Sequence, residues 1–177
     1  MKTYIEKLPQ DVRSLIEAAR AVAHARGCAA YLVGGFVRDL ILGVKNFDLD
    51  IVVEGDGIAF ASDYAKALQG RLVTHHRFGT ATVSFAHHVK VDISSARKEF
   101  YPQPAHLPVV APGTLRDDLY RRDFTINAMA LQISGAGYGR LIDLFDGKKD
   151  LAAKKLRVLH PVSFIDDPTR ILRGIRF

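Results

Sequence analysis

Apolar residues recur at helical spacing through Val12, Leu15, Ile16, Ala19, Val22 and Ala23, and Gly27 follows them, so the pattern predicts an amphipathic helix over about residues 9–26. The period then shortens. Ala-Ala-Tyr-Leu-Val at 29–33 reads as a buried strand, followed by a short helix from 36 to 42 stopped by Gly43. A second apolar strand is expected over about 48–54, then a helix over 58–68 ending at Gly70 and a strand over 71–74. Residues 80–85 and 89–93 flank Ala86-His87-His88 as a hairpin. Pro102, Pro104, Pro108 and Pro112 make 97–113 an expected extended loop, long enough to suspect function. Beyond it the pattern predicts a helix over 114–121, strands over 128–134 and from 141, a short strand over 155–159, and a helix opened by Pro168 that continues to Phe177. Strands alternating with helices, with one hairpin, place the chain in the α/β (α+β) class.

At 177 residues and 48% hydrophobic composition, the chain suits one domain, or one domain and the beginning of another, with a core that needs no staples. A single cysteine, Cys28, cannot form an internal disulfide, which fits a reducing compartment. No apolar signal core opens the chain and no run approaches a membrane span, so the expected location is cytoplasmic, without a membrane partner. The net charge is +6, and residues 148–177 hold eight basic side chains against three acidic ones. Such an end suits a polyanion, either nucleic acid or a triphosphate; a solvated helix face accounts for it equally. The chain stops inside this basic, apolar helix without a capping residue, as a piece of a longer protein would.

Residues 31–53 carry the densest chemistry. Gly34 and Gly35 sit at a strand-to-helix turn, where backbone N–H groups can approach a phosphate chain closely. Arg38 and Asp39 follow in the helix. Asp48 and Asp50 are two apart on a strand, so they share a face, with Cα atoms roughly 6.5–7 Å apart. Two carboxylates held that way can reach a shared pair of divalent ions, the clamp used for in-line phosphoryl displacement. An Asp-x-Asp pair alone would be explained by a solvated strand end; here Ile51-Val52-Val53 buries the strand that presents the acids.

Three further positions remain open between a chemical and a structural reading. Asp92, inside Val91-Asp92-Ile93, is either another metal ligand or a buried partner of a cation such as Arg97. Within residues 121–128, the arginines suit phosphate oxygens, and Asp123 and Asn127 suit ribose hydroxyls. The alternative there is an N-cap at Asp123 or Thr125 with the arginines in water. Asp167 and Arg170, three apart on a helix, present one acceptor beside several donors. That complements the amino group and ring nitrogen of cytosine or adenine and opposes uracil and guanine, although a capping pair explains the same residues. The seven histidines show no ligand spacing, and Gly34-Gly35 belongs to neither a P-loop nor a G-x-G-x-x-G turn.

In this order the blocks resemble the class II tRNA nucleotidyltransferase and bacterial poly(A) polymerase family of the DNA polymerase β-like superfamily. The matching segments are Gly34 to Asp39, Asp48-Leu49-Asp50, Arg121 to Ala128, Leu141 to Leu151 and Asp166 to Phe177, covering about residues 29–177. Small departures are Asp166, where glutamate is usual, and Asp146 before Gly147, where glycine is common. The resemblance implies a polymerase β-like head with a mixed sheet flanked by helices. Residues 1–28 would pack on the head, 29–150 would form it, and 151–177 would begin a helical neck. It implies that Asp48 and Asp50 hold two magnesium ions and that Gly34 and Gly35 cradle the triphosphate; Asp92, from its strand position, is a further candidate catalytic acid. Arg122, Asp123 and Asn127 would contact phosphate and ribose, Asp167 and Arg170 would template the base, and Arg38 and Arg173 join the nucleotide-binding set. Residues 141–151 correspond to the family's hinge region. The implied reaction is transfer of AMP or CMP from ATP or CTP to a tRNA 3′ end, leaning to A addition. The alternatives are poly(A) polymerization or, for this stretch alone, nucleotide binding with little turnover.

Overall fold

The computed structural model describes residues 2–45, 48–86 and 89–177. Helices α1 (Lys2–Glu6) and α2 (Gln10–Arg26) lead into β1 (Ala29–Val33), α3 (Gly35–Leu42), β2 (Leu49–Glu54) and α4 (Gly57–Leu68). Strands β3 (Arg71–His75), β4 (Thr80–Ser84), β5 (Lys90–Ser95), β6 (Arg97–Phe100) and β7 (Val109–Pro112) come next. After them lie α5 (Leu115–Tyr120), β8 (Met129–Gln132), β9 (Leu141–Asp143), α6 (Gly147–Ala152), α7 (Ser163–Asp166) and α8 (Thr169–Gly174). Seven strands form one mixed sheet in the order β3-β4-β5-β2-β1-β8-β9, with β2 at its centre. Strands β2 and β5 are parallel; the other neighbouring pairs are antiparallel.

Alternation along the central strands divides the sheet into two faces. Leu49, Ile51 and Val53 of β2, Ala30 and Leu32 of β1, and Val91 and Ile93 of β5 join Ile16 and Ala19 of α2 and Phe60 and Tyr64 of α4 in the larger core. Fully burying each large apolar side chain stabilises the fold by about 1.5–3 kcal/mol. On the opposite face Tyr31, Val33, Val52 and Ala130 pack with Leu115 and Leu119 of α5. Glu54 docks that helix: its carboxylate accepts from the Tyr31 hydroxyl (3.1 Å) and from the Leu115 backbone N–H (2.8 Å). The Asp50, Val52 and Glu54 side chains thus share the α5 face, and Asp50 lies where helical cover ends.

Most expected elements form, and the departures have local causes. The left-handed cap of α4 falls on Gln69 (φ 54°), not on Gly70. Gly70 serves close packing instead, because a methyl there would lie 2.6 Å from Val83 Cγ1 and 2.7 Å from Phe85 Cε1. The proline-rich stretch is not a plain loop: β6 and β7 pair as an antiparallel ribbon, with Pro112 opposite Arg97 at its end. No strand forms over 155–159; Val158 makes one isolated bridge to Phe124, and Thr125 N–H donates to the Arg157 carbonyl. The basic terminal helix is shorter than expected, and a separate short helix, α7, precedes it. Pro168 disfavours helical backbone at the residue before it, and Asp167 is extended (φ −138°, ψ 93°), separating α7 from α8, which ends at Gly174 rather than Phe177. The expected hairpin between β4 and β5 is present, while His87 and His88 lie outside the described residues. No helix among the described residues is long and apolar enough to cross a membrane.

Candidate active site

A cleft of about 800 Å³ opens beside β2 and gathers Gly34, Gly35, Arg38, Asp48, Asp50, Arg122, Asp123, Asn127, Asp167, Arg170 and Arg173. The β1–α3 turn forms its floor. Gly34 has φ 70° and ψ −139°, and an added methyl would lie 2.8 Å from Arg122 Nη1 and 3.4 Å from Asp50 Oδ2. Glycine is required there both by the positive φ and by the close approach of a cation and an acid.

Asp48 is exposed just before β2, and Asp50 is partly buried within it. Both line the cleft, as the two-residue spacing of a strand requires. Burial raises the Asp50 pKa from 3.8 to about 6; Arg122 opposes the rise, and the carboxylates of Asp92, Asp48 and Asp118 add to it. The folded chain therefore holds the Asp50 proton more tightly than the unfolded chain does. The associated stability is full below about pH 4 and is lost as pH rises through about 6. With divalent ions chelated, Asp50→Asn should raise stability at pH 8 by on the order of 2 kcal/mol and change it little at pH 4. Urea denaturation at the two pH values measures this, and no gain at pH 8 would contradict the assigned cost.

Asp92 is not the buried partner of Arg97 that one sequence reading made it. It is exposed, lies opposite Asp50 in the parallel β2–β5 register, and accepts a 2.6 Å hydrogen bond from Thr82 Oγ1. Arg97 instead bonds Glu99 (2.9 Å) and the Phe78 carbonyl (2.8 Å). Asp92 and Asp50 both line a smaller cavity of about 310 Å³ that Arg97, Arg121 and Arg122 also reach.

The Arg121–Asn127 block is not a solvated cap. Helix α5 begins with a capping box between Thr114 and Asp117 and ends at Tyr120 with Arg121 as its C-cap, so the chain leaving it points Arg121 and Arg122 back toward Asp118. Asp123 Oδ1 accepts from Phe124 N–H (2.8 Å) and Asn127 Nδ2 (3.0 Å), while its Oδ2 meets Arg173 Nη2 at 2.7 Å. Burial alone would raise the Asp123 pKa, but the bonds from Asn127 and Arg173 hold it below the usual value. Asn127 Oδ1 accepts from Arg38 Nη1 (2.7 Å), whose guanidinium also pairs with Asp39 (2.7 and 3.0 Å) and lies 5.0 Å from the Phe177 ring centre. One chain of bonds thus runs from α3 through the 3-10 turn Thr125–Asn127 to α8.

Asp167 and Arg170 both reach the cleft, and the capping geometry is also present: Asp167 Oδ1 accepts from Thr169 N–H (3.0 Å) and Oγ1 (2.6 Å). Arg170 is turned inward, with its side chain 4% exposed, donating to Ser163 Oγ (2.6 Å) and the Arg121 carbonyl (2.9 Å). The sequence reading missed Arg97, Glu99, Tyr101 and Phe177, which also line the cleft, and Asp118 behind it. Only Asp118, three and four residues before the two arginines, left a local signal.

Fold and cleft together define the class, a mixed-sheet head of the DNA polymerase β-like kind. The chain belongs to the poly(A) polymerase head domain family, which it matches over residues 30–157. It is 51% identical over 170 residues to the A-adding tRNA nucleotidyltransferase of Halalkalibacterium halodurans, covering 96% of this chain and 40% of that protein. The solved apo form II of a CCA-adding enzyme superposes with a TM-score of 0.92 at 45% identity, over 99% of this chain and 42% of the other. The Thermotoga maritima CCA-adding enzyme complexed with tRNA gives 0.86 at 43% identity, over 99% and 39%. The chain thus spans about two fifths of the length of these proteins.

Proposed function

We propose that this chain is the catalytic head of a template-independent RNA nucleotidyltransferase that moves AMP or CMP from ATP or CTP onto a tRNA 3′ end, leaning to A addition. One observation carries the reading: Asp48 and Asp50 face the same cleft beside a glycine turn and a group of arginines. The names of its relatives support the substrate class, A-adding in one case and CCA-adding with bound tRNA in another. Residues 29–150 form the head in this reading, with 1–28 packed on it. Residues 151–177 begin a neck, in keeping with the exposed Ile171, Leu172 and Ile175 on and beside α8.

The donor set suits magnesium. Among the described residues no group of three or more His, Cys, Asp or Glu gathers as a metal cage, and magnesium is commonly held by one or two carboxylates with phosphate oxygens and water completing the shell. Asp50, surrounded by other acids, gains from a cation there. Asp48 and Asp50 would hold magnesium, whose charge would favour deprotonation of the attacking hydroxyl and departure of pyrophosphate. The chain supplies the rest. Backbone N–H groups following Gly34 face the phosphate chain, Arg122 faces its oxygens, and Asp123 and Asn127 offer the ribose its hydrogen-bonding edge. To read the base, Asp167 accepts from the amino group of cytosine or adenine while Arg170 donates to the ring nitrogen. In that step Arg170 exchanges an internal acceptor for the base.

Calorimetry with ATP, CTP, UTP and GTP in magnesium tests the reading. ATP and CTP should bind at least about tenfold more tightly than UTP and GTP, because a mismatched edge leaves polar groups unpaired. Equal binding of all four would remove Asp167 and Arg170 as the template. Binding of all four without incorporation on tRNA lacking its end would favour a nucleotide-binding module.

A further inference from the structure

We propose that Asp118 is a positioning residue that holds Arg121 and Arg122 in place for the phosphate chain, itself touching no nucleotide; this rests on the phosphate reading of the cleft. Its side chain is 0% exposed. Oδ1 receives Arg121 Nη2 (2.7 Å) and Nε (3.0 Å), and Oδ2 receives Arg122 Nη2 (3.0 Å). A buried carboxylate is tolerated when its oxygens are filled, and here two successive guanidinium groups fill them. The spacing permits it: positions three and four residues onward on a helix lie over the same face.

The two arginines depend on Asp118 unequally. Arg121 has a second acid, Glu99, at 3.2 Å. For Arg122, Asp118 supplies the hydrogen-bonded acid; among the described residues the buried Nε of Arg122 has no hydrogen-bond partner, and its Nη1 is the atom that a methyl on Gly34 would strike. Asp50 feels the Arg122 charge, and both side chains border the Gly34 turn. Without Asp118, neighbouring guanidinium groups repel each other and Arg122 is drawn toward Asp50, where it competes with a divalent cation. With Asp118 in place, one face of Arg122 is anchored while Nη1 stays turned to the cleft for an incoming oxygen.

The test uses this chain and magnesium pyrophosphate as the probe, measured by calorimetry, with circular dichroism melting of each variant. Asp118→Asn should weaken pyrophosphate binding about tenfold, as should Arg122→Gln, each removing a charged hydrogen bond or its alignment. In the double variant the second change should add less than about twofold, because both act through one guanidinium. A general structural role would move the melting temperature in either background and would not make the binding loss vanish when Arg122 is already gone. A folded Asp118→Asn that binds like wild type overturns the inference, and so do losses that multiply in the double variant. If Asp118→Asn does not fold, undiminished binding by Arg122→Gln overturns it in the same way. Failure of the wild-type chain to bind pyrophosphate would instead remove the phosphate reading itself.

Discussion

Asp48→Ala should lower nucleotide incorporation by at least about a thousandfold and leave the melting curve nearly unchanged. The two halves of this expectation have separate causes. Asp48 is exposed and precedes β2, whereas Leu49, Ile51 and Val53 carry that strand's share of the core. Truncating Asp48 therefore opens no cavity, and surface changes of this kind stay within about 0.5 kcal/mol. The chemistry loses much more. In the proposed reading one of the two carboxylates that would hold the cations is gone, and losing several kcal/mol of transition-state charge stabilisation amounts to a factor of about a thousand or more. Labelled ATP and CTP, offered with tRNA lacking its terminal nucleotides and with wild-type protein run alongside, give the measurement. Full incorporation by a folded Asp48→Ala protein would end the metal assignment.

Gly147→Ala should damage the fold most among small changes, by about 3 kcal/mol, through overpacking against backbone. At this chain length that is a fall of roughly 10 °C in melting temperature. The added methyl would overlap the Thr125 carbonyl oxygen and lie 2.9 Å from Met129 Cγ. Neither side can retreat easily. Asp143 Oδ1 holds the Gly147 N–H at 2.8 Å, and Asp150, buried one turn on, holds Thr125 Oγ1 at 2.7 Å. Thr125 begins the 3-10 turn that ends at Asn127, so the displacement reaches the cleft, and nucleotide binding should weaken along with stability. Unchanged melting would show that α6 shifts freely against this turn.

Gly34, Asp48 and Asp50 were legible because their meaning is local: a turn that needs positive φ, and a two-residue period that sends alternate side chains one way. The remaining cleft residues were grouped by resemblance, and the fold brings that grouping together. What escaped the sequence reading was non-local. Glu99 meets Arg121 across 22 positions, and Arg173 reaches Asp123 across 50, pairings that no periodicity encodes. One reading buried Asp92 because its neighbours are apolar, yet Val91 and Ile93 face the core while Asp92, between them, faces the other way. The ribbon was hidden by its prolines, three of which lie between β6 and β7 and the fourth at the ribbon's end.

Strand β2 has three strands on either side of it in the sheet. Fraying begins at exposed edges and ends of structure and reaches the most enclosed ladder last. Amide protons along β2 should accordingly be among the last to exchange with solvent, and Asp50 rides on that enclosed ladder. The sheet can breathe at both margins while the platform that carries Asp50 keeps its shape.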